Sequence, residues 1–179
     1  MQTFSTPAGK QHGSILWFTG LSAAGKTTLS RAVAEALLAE GKEVRVLDGD
    51  ELRQTLSRDL GFSPADRETN IRRLAALATE HAREGSIVLV AAISPLRALR
   101  EELRRDSPVR FLEVFVDAPL AACEARDPKG LYRRARRGEI AEFTGISAPY
   151  EPPLTPDLHC PTTIEPLATS VARVLAALR

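Results

Sequence analysis

The sequence predicts an α/β fold, a three-layer sandwich in which a mostly parallel sheet is covered by helices on both faces. Three observations predict it. Short, nearly continuous apolar runs such as Ser86 to Ile93 alternate with longer segments whose apolar residues recur every three or four positions. A glycine-rich loop joins the first apolar run to the first helical segment. At 179 residues, 44% of them apolar and 26% charged, the chain is long enough for one well-buried core and too short for two ordinary domains.

The elements follow in order. Residues 1–13 are polar, carry Pro7, Gly9 and Gly13, and have no period that would bury a face, so they read as a loose leader to a single domain over residues 14–179. Ser14 to Thr19 is the first strand. From Lys26 a helical period runs through Leu29, Ala32, Val33, Ala36 and Leu37 and is stopped by Gly41. A strand from Glu43 to Asp48, a short helix from Asp50 and a long helix come next. The long helix has a marked start, with Ser63 as N-cap, Pro64 at the first helical position and Asp66 at the third, and its apolar stripe is Ile71, Leu74, Ala75 and Ala78. The run from Ser86 to Ile93 is a strand, a helix follows Pro95, and Val109 to Asp117 is a further strand. Beyond Asp117 the pattern loosens through a basic stretch, Arg126 to Gly138, and a proline-rich one, Ala148 to Pro161. A final amphipathic helix uses Leu167, Val171, Val174, Leu175 and Leu178.

Net charge of +1 provides no global field for nucleic acid or an anionic membrane, so small-molecule partners are expected. The apolar runs fall far short of the roughly 20 residues that a bilayer requires. With no charged-then-apolar signal segment read at the start, the expected compartment is the cytoplasm. Cys123 and Cys160 lack metal-ligand spacing and read as buried free thiols.

Gly20, Leu21, Ser22, Ala23, Ala24, Gly25, Lys26 and Thr27 match G-x-x-x-x-G-K-[ST] at every fixed position, between a predicted strand and a predicted helix. This is a P-loop, and the fold is expected to resemble the P-loop nucleoside triphosphate hydrolases. The glycines let backbone N–H groups wrap a phosphate while the helix N-terminus adds its positive end. Lys26 is expected to reach the β- and γ-phosphates of ATP, and the Thr27 hydroxyl to ligate Mg²⁺; Thr28 is counted with the nucleotide-binding residues.

A P-loop does not separate kinases from GTPases or motors. No N-K-x-D signature is present, and the third strand ends in Ala91, Ala92, Ile93 and Ser94 without an acid. Asp48 and Asp50 close the second strand instead, at the edge where an acid can place Mg²⁺ or accept a proton from an acceptor hydroxyl. Such a pattern suits a small-molecule kinase. Arg67 and Asn70 fall on the apolar stripe of the long helix near its start and read as pocket residues, joined by Arg53, whereas Arg72 and Arg73 point outward.

In order along the chain, the P-loop, Leu47 to Asp50, Asp59 to Ser63, Asp66 with Arg67, Asn70 to Arg73, Ile93 to Pro95 with Arg97, Asp127 to Tyr132, and Phe143 to Glu151 resemble the adenylylsulfate kinases. These phosphorylate the ribose 3′-hydroxyl of adenosine 5′-phosphosulfate (APS) in sulfate assimilation. The resemblance implies that Phe62 and Phe143 stack on the two faces of the APS adenine. It further implies that Arg53, Arg67 and Asn70 bind the phosphosulfate and ribose beside Ile93 and Ser94. Asp50 would orient or deprotonate the 3′-hydroxyl and join Thr27 at the metal. Ser94 matches a serine described in the family as a phosphoryl carrier; in-line transfer needs no such intermediate, so it reads as substrate-binding. Arg126, Lys129, Arg133, Arg134, Arg136 and Arg137 resemble a mobile lid, with Lys129 foremost and Arg134 and Arg137 read as a solvated face. A homodimer, and association with or fusion to ATP sulfurylase, are also implied. Thr69 stands where the family usually has Glu, and Leu96 replaces a frequent aromatic. Two alternatives stay open: a kinase for a nucleoside monophosphate or other small metabolite, if Phe62 and Phe143 are core residues, and a regulatory nucleotide-binding module.

Overall fold

The computed structural model describes residues 13–179, so the leader expected over residues 1–13 lies outside the described residues except for Gly13. Gly13 is already part of the fold: it is buried, and its N–H donates to Ala82 O at 2.7 Å.

Among the described residues are five strands and seven helices, namely β1 (Ser14–Thr19), α1 (Lys26–Ala39), β2 (Val44–Asp48), α2 (Gly49–Leu52), α3 (Pro64–Arg83), β3 (Ile87–Ala91), α4 (Arg97–Arg105), β4 (Arg110–Asp117), α5 (Leu120–Arg126), α6 (Leu131–Arg136), β5 (Leu158–Pro161) and α7 (Leu167–Leu178). The strands lie in the order β2-β3-β1-β4-β5, and every pairing is parallel. A parallel pair needs a crossover, which helices provide here, so both faces are covered. Alternation along β1 divides the core accordingly. Leu16 and Phe18 belong to the layer containing Leu29, Val33, Leu37 and Val174; Ile15 and Trp17 belong to the layer containing Ile71, Leu74 and Leu99.

The expected start of α3 is met, with Ser63 Oγ accepting from Asp66 N at 3.1 Å and Pro64 in the first turn. Three elements were not expected, and all lie where the pattern loosens after Asp117: α5, α6, and β5, a four-residue edge strand within the proline-rich stretch. β5 gains its place by pairing with β4 from Val114↔Leu158 to Asp117↔Pro161. The basic stretch is itself largely helical, through the end of α5 and α6.

Because β1 sits between β3 and β4, chain connections leave its carboxyl end in opposite senses, and the crevice of a doubly wound sheet opens there. Gly20 turns the chain into this crevice where a β-carbon would meet Val116 O at 2.3 Å. Gly25, at φ 109°, forms the left-handed entry to α1.

Candidate active site

Residues 20–27 run from the end of β1 to the first turn of α1, as the motif requires. Lys26 curls back so that Nζ donates to Gly20 O at 3.0 Å and Leu21 O at 2.7 Å. Burial pulls its pKa down from 10.5 to about 8, against the opposing attraction of Asp50 and Asp48. The loop is braced from behind. Tyr132 hydroxyl donates to Ser22 O at 2.9 Å, while Arg126 Nη1 reaches Ala23 O, Ala24 O and Thr162 Oγ1 at 3.1–3.3 Å. Thr162 Oγ1 also donates to Ala24 O at 2.7 Å.

The carboxylates at the end of β2 divide their work differently from the expectation. Thr27 Oγ1 donates to Asp48 Oδ2 at 2.7 Å, and Asp48 Oδ1 accepts from Asp50 N at 2.9 Å, capping α2. Asp50 instead pairs with Lys129, Oδ2 to Nζ at 2.8 Å, and this hydrogen bond raises the Lys129 pKa. Asp48, not Asp50, is therefore the acid at the P-loop hydroxyl. The signal was available, since Asp48 is the last residue of β2 at the carboxyl edge of the sheet. All four residues line a cavity of about 640 Å³ that Ile93, Arg126 and Thr162 also border. Thr28 faces it too.

On the acceptor side, Arg67 ties two segments that are distant in sequence. Its Nε donates to Phe62 O at 3.0 Å, Nη1 to Thr144 Oγ1 at 3.2 Å and Nη2 to Glu142 O at 2.6 Å. Arg53 donates to Gly61 O and lays its guanidinium 4.6 Å from the centre of the Phe62 ring. Burial, then the nearby Arg67 charge, lowers the Arg53 pKa. Phe62 is 68% exposed and offers a free aromatic surface. Phe143 is buried in the α1/α7 core layer, edge-on to Tyr132 at 5.0 Å between centroids, so the two rings expected on either face of the adenine differ in setting, one at the surface and one in the core. Asn70 is buried in α3 beside Ile71, and its Oδ1 has no hydrogen-bond partner. Arg72 and Arg73 lie outside this group, paired with Glu68, Glu102 and Asp59.

Ser94 departs from its expected place. It is 2% exposed with φ 41°, it does not line the cavity, and its hydroxyl accepts from Trp17 Nε1 at 3.0 Å and donates to Thr19 Oγ1 at 3.1 Å. In this arrangement the Ser94 hydroxyl is engaged by Trp17 and Thr19, and no base is among its partners. In the basic stretch, Arg126 and Lys129 face the cavity, whereas Arg134 and Arg137 share Glu139 and Arg136 pairs with Glu124 at the surface. Cys123 and Cys160 are free and buried, as expected.

Comparison with known proteins places this arrangement. The family described as adenylylsulphate kinase matches residues 12–161. An adenylyl-sulfate kinase of Chloroflexus aurantiacus is 55% identical over 174 residues, covering 97% of this chain and 93% of that protein. One from Microcystis aeruginosa is 54% identical over 165 residues, 92% of this chain and 91% of the relative. The solved structure of Mycobacterium tuberculosis APS kinase CysC in complex with AMPPNP and APS superposes with a TM-score of 0.88 at 48% identity, over 93% of this chain and 98% of that one. With a family match over most of its length and the phosphate loop and paired acids assembled around one cleft, the chain belongs to the adenylylsulfate kinase family.

Proposed function

We propose that this protein transfers the γ-phosphoryl group of ATP to the 3′-hydroxyl of APS, giving ADP and 3′-phosphoadenylylsulfate. The observation that carries the reading is the juxtaposition across one cleft of Lys26, Thr27 and Asp48 on the nucleotide side with Asp50 and Lys129 at its mouth.

Phosphoryl transfer asks a protein mainly for positioning and charge stabilisation. The loop amides and Lys26 hold the terminal phosphates; Lys26 exchanges its two carbonyl partners for phosphate oxygens. Asp50 accepts the proton of the attacking hydroxyl, and Lys129, released from Asp50, neutralises charge on the transferring group. Thr27 and Asp48 are hard oxygen donors suited to magnesium, and among the described residues no cluster of three His, Cys, Asp or Glu side chains forms a self-sufficient metal cage. Magnesium held there would supply charge neutralisation on the β- and γ-phosphate oxygens. Phe62 stacks on the APS adenine; Asn70, with its spare acceptor, and the arginines Arg53 and Arg67 receive the ribose and phosphosulfate, while Phe143 forms the floor from the core side.

A coupled assay of ADP release by the purified chain with APS, AMP, CMP or shikimate tests the reading. Turnover confined to APS is expected. Preference for AMP or CMP would favour the nucleoside monophosphate kinase, and no turnover with any acceptor the regulatory module. A homodimer and an association with ATP sulfurylase belong to the same reading, checked by light scattering and co-elution. No described helix is long and apolar enough to cross a membrane.

A further inference from the structure

One side of the acceptor region is built from two segments, the turn at residues 93–96 and the stretch from Phe143 to Pro152, and polar contacts lace them together. Glu151 N donates to Pro95 O at 2.9 Å, Arg97 N to Glu151 Oε2 at 2.7 Å, and Arg97 Nε to Pro152 O at 3.0 Å. At the centre of the lacing lies Arg100, 1% exposed. Its Nε donates to Glu113 Oε1 at 2.7 Å, Nη1 to Ser94 O at 2.6 Å and Nη2 to Glu151 O at 2.6 Å. Its guanidinium also lies 5.7 Å from the centre of the Tyr150 ring.

Glu113 occupies the buried interior of β4, where an apolar residue is the default. A buried ion pair adds little net stability over an apolar pair of similar volume. What the pair provides that an apolar pair lacks is a planar fork of directed donors. One prong holds the residue next to Ile93, which lines the cleft; the other holds the segment whose Thr144 is bonded to Arg67. We propose that Arg100, oriented by Glu113, is a positioning residue for the acceptor: it sets the spacing between Ile93 and the Phe143–Thr144 edge, and so where the acceptor hydroxyl lies relative to the phosphate loop. This role rests on the functional reading above.

Trp17 supplies a direct readout, because it is the chain's one tryptophan and its Nε1 donates to Ser94 Oγ. Two variants are compared with wild type: Arg100→Met/Glu113→Met, which exchanges the ion pair for apolar side chains, and Arg100→Lys, which keeps the charge but has no fork. For the double variant the KM for APS is expected to rise about tenfold and kcat to fall, small displacements of reacting groups being costly. The KM for ATP should stay within about twofold, since none of the hydrogen-bond partners of Arg100 belongs to the phosphate loop. Tryptophan emission should shift, and Arg100→Lys should be intermediate in both respects. Unchanged constants, or KM values for APS and ATP that rise in parallel in the folded variants, would overturn the proposal while leaving the assigned reaction intact. If the double variant does not fold, Arg100→Lys decides alone by the same criteria. Absence of APS turnover in the wild type would instead overturn the functional reading, and this role with it.

Discussion

Replacing Lys26 by methionine separates what the phosphate loop costs the fold from what it does for catalysis. The lysine has a pKa of about 8 in place of 10.5, chiefly because burial disfavours its charged form. Each tenfold change in acidity corresponds to about 1.4 kcal/mol, so keeping the ammonium charged at pH 7 costs roughly 3 kcal/mol. Solvent reaching the cleft reduces this to about 2 kcal/mol. The folded state binds fewer protons than the unfolded chain between the two pKa values. Stability therefore rises with pH across that window and is lowest below it. Methionine has similar length and no charge to desolvate. Lys26→Met is expected to be more stable than wild type at pH 7 by about 2 kcal/mol, or roughly 4–8 °C in Tm for a domain of this size, and to lose its advantage by about pH 10. Thermal melts followed by circular dichroism at both pH values, alongside the ADP-release assay, measure this; activity should be lost throughout. A variant less stable than wild type at pH 7, or a difference that does not narrow with pH, would refute the reasoning.

Ser94→Ala should keep kcat within about threefold and lose about 1 kcal/mol of stability through its core hydrogen bonds; a hundredfold fall in kcat, or radiolabel retained by the wild-type chain after incubation with γ-labelled ATP, would restore a phosphoryl-carrying role. Asn70→Leu removes a buried acceptor without a partner, so a Tm raised by a few degrees together with a KM for APS at least tenfold higher is expected from melts and steady-state kinetics. Asp48→Asn keeps an adequate helix cap but weakens the oxygen pair at Thr27; kcat should drop about a hundredfold and the magnesium concentration for half-maximal rate should rise, with Tm nearly unchanged.

The phosphate loop and the start of α3 were legible in the sequence because both are local: their spacings state which backbone groups need partners. Asn70 stood out for a related reason, being a polar residue on an apolar stripe, and it is buried there with Oδ1 unpartnered. β5 was not legible, because four residues among prolines carry too little period, and the strand exists by virtue of its pairing with β4. Asp48 could be picked out as the last residue of β2, whereas the pairing of Asp50 with Lys129 joins residues far apart in sequence that no spacing relates. Ser94 sits in a motif that looks chemical, yet its hydroxyl is claimed by Trp17 and Thr19, each more than seventy positions away. The burial of Phe143 was not legible either, since an aromatic residue in a substrate motif and one in a core have the same sequence signature. Glu113 was visible as a charge in an apolar strand, but its partner becomes apparent only when α4 packs against β4.

The contact between Asp50 and Lys129 also bears on how readily the mouth of the cleft opens. Both side chains are well exposed, and an ion pair in such a setting is weak, so it is a latch that a modest competing interaction can undo.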